Sequence, residues 1–226
     1  TARVRCGGNW SSTSAWAPTG LLIELDGPGA NTLSGTLPTF ANLTIADGTK
    51  TLTTAAATTG NLSVASGAAL VTNASFAVGV SVVMGDDTSS WDMGGQTHTV
   101  AAGWIWAGGS APGGGTAEFT GTGSIQTGTG TIANVRIAGA AITGNGANIP
   151  GNLEMTGGSL FVNNGFVIAV GGNASLTAGT LSFSTAAGSA QDVLDVEGDV
   201  TLTATAGSAH GTNRIHCAGN WSSTAA

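Results

Sequence analysis

Apolar and small polar residues alternate along this chain in short bursts, as at Leu62 and Val64 or Val200 and Leu202. That is the period of a strand with one buried face. The bursts share a frame in which Gly-Asn opens the segment, an apolar pair follows, and a turn of Gly and small residues precedes another apolar position. GNLSVASGAAL from Gly60, GNLEMTGGSL from Gly151 and GNASLTAGTL from Gly172 all follow it. Gly-Asn or Gly-Asp pairs recur at 151, 172, 198 and 219. Gly, Asn and Asp tolerate the backbone angles of tight turns. The pattern predicts short strands joined by tight turns, at a period of roughly twenty residues.

Two longer repeats contain this one. TARVRCGGNWSST at 1–13 returns as TNRIHCAGNWSST at 212–224, with nine of thirteen positions identical. A degenerate duplication lies inside: Trp10, Pro18, Glu24, Gly27 and Gly29 are matched by Trp104, Pro112, Glu118, Gly121 and Gly123. ANLTI at 41–45 is matched by ANVRI at 133–137. The chain is therefore expected to be one solenoid segment over 1–226, with pseudo-repeats at roughly 3–97 and 98–213 and with 212–226 restarting the 1–13 element. A short strand cannot bury its inward face alone and needs a stacked neighbour. The predicted fold is all-β, a right-handed parallel β-solenoid (β-helix) of about ten rungs of roughly 20–22 residues. At ~4.8 Å per stacked strand it makes a rod on the order of 50 Å long. A β-sandwich is the alternative, but it gives no reason for Asn to recur at one point in each segment. In the coil that Asn stacks as a ladder at one corner. A left-handed coil of hexapeptides is disfavoured because strict hexapeptide periodicity is missing.

Composition narrows the function. Only 8% of residues are charged and 41% are hydrophobic, with 38 Gly, which suits neither a disordered chain nor a helical one. Five Lys and Arg against twelve Asp and Glu give a net charge of −7, so no patch exists to neutralise phosphates and nucleic acid is not expected as a partner. No apolar run has the length of a membrane span, and membrane insertion is not expected. Scarce Lys with plentiful Asn, Thr and Gly points to an extracellular, cell-surface location.

GNW-SST followed by an aromatic and Pro, then ELDG, F-x-NLTI and GNL-x-V-x-SG-x-x-L, resembles the repeats of very large secreted bacterial surface proteins. The resemblance runs from CGGNW at 6–10 to CAGNW at 217–221. It implies tandem parallel β-helices with a surface or fibre role, and it supplies no catalytic residues.

Candidate sites are few. Cys6 and Cys217 are equivalent positions about ten rungs apart, on the order of 48 Å, whereas a disulfide needs Cα atoms within ~7 Å. Val100 fills the same slot in the pseudo-repeat, so the slot reads as inward and the thiols as free; a link between neighbouring molecules is the alternative. Asn9, Asn42, Asn61, Asn73, Asn173 and Asn220 lie in N-x-S/T sequons. Asn9, Asn61, Asn152, Asn173 and Asn220 sit at the repeating turn, so a structural role is favoured over sugar attachment. Trp10, Trp104 and Trp221 share one slot beside that turn and read as packing, leaving Trp91 and Trp106 as the exposed candidates.

Acidic residues cluster at Asp86, Asp87 and Asp92, and again at Asp192, Asp195, Glu197 and Asp199. The second set are candidate Ca²⁺ ligands, since that ion takes about six to eight oxygens, and paired carboxylates also cleave glycosidic bonds. Alternation with Val196 and Val200 instead makes the stretch a solvent-facing strand. His98, His210 and His216 are scattered, with no metal-ligand spacing. Thr-x-Thr pairs at 51/53, 97/99, 127/129 and 201/203 resemble an ice-binding array but leave gaps. No catalytic residue and no cofactor is assigned. The expected function is a structural or adhesive module, one unit of a filament that joins copies of itself head to tail or in tandem, with surface glycans as a further partner. An ice- or glycan-binding solenoid and a carbohydrate-active enzyme are the alternatives.

Overall fold

The computed structural model of the chain describes residues 3–14, 20–106, 109–139, 141–163, 165–184, 191–203, 205–207 and 213–224. Among them are thirty short strands and no helix. Every pairing among the described residues is parallel and joins strands about one turn of chain apart, as Leu22–Leu25 pairs with both Arg3–Cys6 and Asn42–Ile45. The chain is thus a parallel β-solenoid of about ten turns, as the alternation and the repeats predict.

Each turn lays strands on three sides. Side one is an eleven-stranded ladder from Arg3–Cys6 through Leu22–Leu25, Asn42–Ile45, Leu62–Val64 and Val82–Met84 to Thr205–Gly207. Side two begins at Trp10–Ser12 and Ala30–Gly35, runs to Thr131, and resumes as a four-stranded ladder from Ala147–Ile149 to Arg214–Cys217. Side three runs from Thr39–Phe40 through Ala56–Thr58, Phe76–Val78 and Thr97–Val100 to Trp221–Ser223. Alternate residues of each strand point inward and stack in columns. Ile23, Leu43, Leu62, Val82, Trp104 and Ile125 form one on side one, each at most 3% exposed. Burying each such side chain contributes about 1.5–3 kcal/mol.

The corners are held by a second ladder. Where the chain turns, the strand hydrogen bonds lapse and a backbone N–H needs another acceptor. The side-chain oxygen of an Asn one rung earlier supplies it. Asn42 Oδ1 accepts from Asn61 N–H at 2.8 Å and Asn61 Oδ1 from Ser81 N–H at 3.1 Å. A longer run links Asn134 to Asn152, Asn152 to Asn173, Asn173 to Asp199 and Asp199 to Asn220, at 2.7–2.9 Å. Glycine is required beside it: a Cβ at Gly60, Gly151, Gly172, Gly198 or Gly219 would overlap the ladder oxygen of the preceding rung. Gly-Asn is therefore one device, the Gly admitting the amide below and the Asn bonding the rung above.

The expectation of a single corner needs correction. Asn9 stands where side one turns into side two, Asn61 where side three turns into side one, and Asn152, Asn173 and Asn220 where side two turns into side three. The cause is a pseudo-repeat that is not a whole number of turns. From Arg3–Cys6 on side one to Thr97–Val100 on side three the coil makes four turns and two further sides. From there to Arg214–Cys217 on side two it makes five turns and two sides. Each repeat thus begins one side earlier than the last. Trp10, Trp104 and Trp221, one slot in sequence, accordingly lie on sides two, one and three.

Asn152→Leu should lower stability by about 1 kcal/mol, because it leaves the Asn173 N–H without its acceptor. Asn152→Asp should cost less than half as much, since Asp199 already fills such a slot. Equilibrium urea unfolding followed by far-ultraviolet circular dichroism distinguishes the two.

Candidate functional site

Both copies of the end motif make ion-pair and ladder contacts with the adjoining rung. In the first copy the contacts run forward. Arg3 and Arg5 bond Glu24 at 3.1 and 3.0 Å, and Arg5 reaches Asp26 at 2.6 Å. Asn9 Oδ1 accepts from Thr32 N–H at 2.9 Å, and Trp10 meets Phe40 edge-on at 6.4 Å. In the second copy they run backward. Arg214–Cys217 pairs with Val193–Val196, His216 bonds Asp195 at 2.6 Å, and Asn220 donates through N and Nδ2 to Asp199 Oδ1. Trp221 pairs with Val200 but is 47% exposed. An uninterrupted version of the same pattern lies mid-coil on side three, where Arg136 bridges Glu118 at 3.1 Å and Glu154 at 2.7 Å. The hydrogen bonds it donates to Glu154 and Glu118 hold the pKa of its guanidinium above the ordinary value.

Cys6 and Cys217 are free, partly buried and packed against the core. Their thiols donate to Gly8 O and Gly198 O, each at 3.4 Å. They lie on side one of the first turn and side two of the last, so no disulfide joins them within one coil.

The acidic stretch 192–199 differs from expectation at its first member. Asp192 is fully buried. Its Oδ1 accepts from Gly165 N–H at 2.6 Å and its Oδ2 from Ser184 N–H at 2.8 Å, so both oxygens are occupied by backbone donors. Asp195 is tied to His216, Asp199 belongs to the Asn ladder, and Glu197 stands exposed. Among the described residues no group of three or more His, Cys, Asp or Glu converges as metal ligands do. In the other acidic cluster, Asp86 accepts from Ser66 Oγ and Thr88, and these bonds hold its carboxyl below the usual range.

Trp91 is not exposed: it is fully buried on side two, stacked on Trp104 at 5.4 Å with its indole N–H on Thr72. The Trp106 side chain and His210 lie outside the described residues. The Thr pairs do not share a side. Thr51 is on side two, Thr97 and Thr99 on side three, and Thr127 is buried and accepts from Asn148 N–H.

Two further ionisable side chains are buried. Lys50 points inward and donates from Nζ to Gly27 O, Gly29 O and Asn31 Oδ1 at 2.5, 3.2 and 3.0 Å, so an ammonium fastens the Asp26–Gly29 turn. Burial pulls it below its ordinary value, against the pull of Asp47 and Asp26. His98 lies against Trp91; its Nδ1 accepts from Phe76 N–H at 3.0 Å, which leaves Nε2 as the protonated nitrogen, 3.0 Å from Met93 O.

No protein family matches this chain, and no curated protein or solved structure is detectably similar to it.

Burial lowers the pKa of His98, and a proton on Nδ1 would break the bond from Phe76. The unfolded chain therefore takes up a proton that the folded chain refuses. Stability contributed here is full above about pH 6.5 and falls as the pH drops from there toward the folded-state value. Thermal unfolding of the protein and of His98→Gln between pH 7.5 and 5 should show a smaller acid loss in the variant.

Proposed function

We propose that the chain is a structural module, one unit of a tandem-repeat solenoid that forms an extracellular fibre or cell-surface filament whose outward sides serve adhesion. One observation carries this reading: the same motif forms a strand, corner and strand of one continuous parallel coil in two copies about ten turns apart. A copy bonded in both directions would set its base between Asp195-type and Glu24-type carboxylates, as Arg136 sits between Glu118 and Glu154. It would also continue the Asn ladder, donating its N–H to an Asp199-type carboxylate and accepting at Oδ1 from a Thr32-type N–H. A heterologous joint of this kind propagates and does not close into a ring. An array of like units at ~4.8 Å per rung has the character of a stiff strut.

The joint is not in simple register. The offset from Cys6 on side one to Cys217 on side two corresponds to ten turns and one side. Successive units would therefore present the same surface rotated by one side, and three units would present it all round the fibre. The composition and the sequence resemblance support the extracellular setting.

Electron cryomicroscopy of a protein with several units in tandem tests the reading. The expected image is a continuous rod with an axial repeat near 50 Å per unit and a rotation of one third of a turn between units. Beads joined by flexible breaks, or units packed side by side, would contradict it.

A further inference from the structure

Side two carries a groove at the start of its resumed ladder. The ladder that ends at Thr131–Ile132 resumes with Ala147–Ile149 pairing forward to Val167–Val170. Beside the lapse the surface is concave. A cavity of about 450 Å³ is lined by Gln126, Asn145, Asn148, Phe166, Val167 and neighbouring small residues. A second, of about 300 Å³, continues from Asn148 and Ala169 to Asp195 and Glu197. Strand register explains the continuity: Asn148, Ala169, Asp195 and His216 occupy one outward column on successive rungs, with the small Ala169 as floor between polar neighbours.

The lining has a definite chemistry. Phe166 is 39% exposed, and one edge of its ring lies against Gly146, where a Cβ would stand 3.2 Å from Cδ1. Gly146 also has φ +85, so this seat for the ring is reserved to glycine. The side-chain amides of Gln126 and Asn148 hydrogen-bond to nothing among the described residues, while Asn145 is oriented by Asn163 Nδ2 at 2.8 Å. Asp195 and Glu197 add carboxylate acceptors farther along.

We propose that this groove binds a neutral glycan chain lying along the coil axis. An exposed aromatic face attracts the polarised C–H groups of a sugar ring, and planar amides and carboxylates match pairs of adjacent hydroxyls. The rung spacing of ~4.8 Å is close to the length of one pyranose in an extended glycan, so successive sugars meet successive rungs. The carboxylates and the net charge of −7 repel uronate and sulfated chains. The site deepens the adhesive part of the proposed function but is complete in one unit, so its failure and the failure of fibre assembly are separate results.

The test is isothermal calorimetry of the 226-residue chain with neutral hexasaccharides of β-1,4-linked glucose, N-acetylglucosamine and mannose, and with polygalacturonate as the anionic comparison. At least one neutral chain should bind and polygalacturonate should not. Phe166→Ala and Asn148→Ala should each weaken binding about tenfold, whereas Ile105→Ala, exposed on side one, should leave it unchanged. Circular dichroism checks that each variant keeps the strand signal. Failure of every neutral chain to bind the folded protein, or binding indifferent to both groove substitutions, overturns the proposal.

Discussion

The fold depends on the capture of a backbone N–H by the side-chain oxygen of an Asn one rung earlier. A coil of short strands has many corners, and at every corner the ladder between strands lapses. An unpaired N–H at a packed corner costs about 1–3 kcal/mol, and a rung free to slide by one residue would turn its whole inward face outward. The Asn oxygen answers both problems because its reach spans one rung and no more. The demand it makes is steric. A Cβ on the residue before the next ladder member would collide with the oxygen below, so Gly precedes Asn at 60–61, 151–152, 172–173 and 219–220, and precedes Asp at 198–199. The recurrent Gly-Asn and Gly-Asp pairs thus follow from one hydrogen bond.

The phase of the repeat governs what the surface can do. Had the pseudo-repeat been a whole number of turns, like residues would have returned to the same side four or five rungs on. Four or five turns plus two sides spreads them instead. The ladder moves from one corner to another, and the three Trp of one sequence slot occupy three sides. Continuity is kept inside, where any apolar residue satisfies a column, and is lost outside. The ion ladder at Glu118, Arg136 and Glu154 and the groove beside Phe166 each occur at one place on this irregular exterior.

The fold was largely legible in the sequence. Alternation set the strands, and the Gly-Asn period set the rung. Parity also marks the buried ionisable residues: Lys50 is in phase with Leu52, His98 with Val100, and Asp192 with Leu194 and Val196. Charge argued for an outward position at Asp192, and the inward parity prevailed because Gly165 and Ser184 offer two N–H donors. Trp91 is in phase with Met93 and was readable as core in the same way. The register between segments was not legible, because a pseudo-repeat counted in residues does not say how many sides it crosses. The groove was hidden for the same reason, since its lining comes from four rungs whose alignment exists only in the folded coil.

The most direct measurement is nuclear magnetic resonance detection of scalar couplings across the ladder hydrogen bonds, between the side-chain carbonyl carbon of one Asn and the backbone nitrogen one rung on. Couplings are expected from Asn42 to Asn61, from Asn134 to Asn152 and from Asn152 to Asn173, with Asn9 coupled to Thr32 at its separate corner. Absence of these couplings in the folded protein, with the same amide protons exchanging as fast as those of open loops, would contradict it.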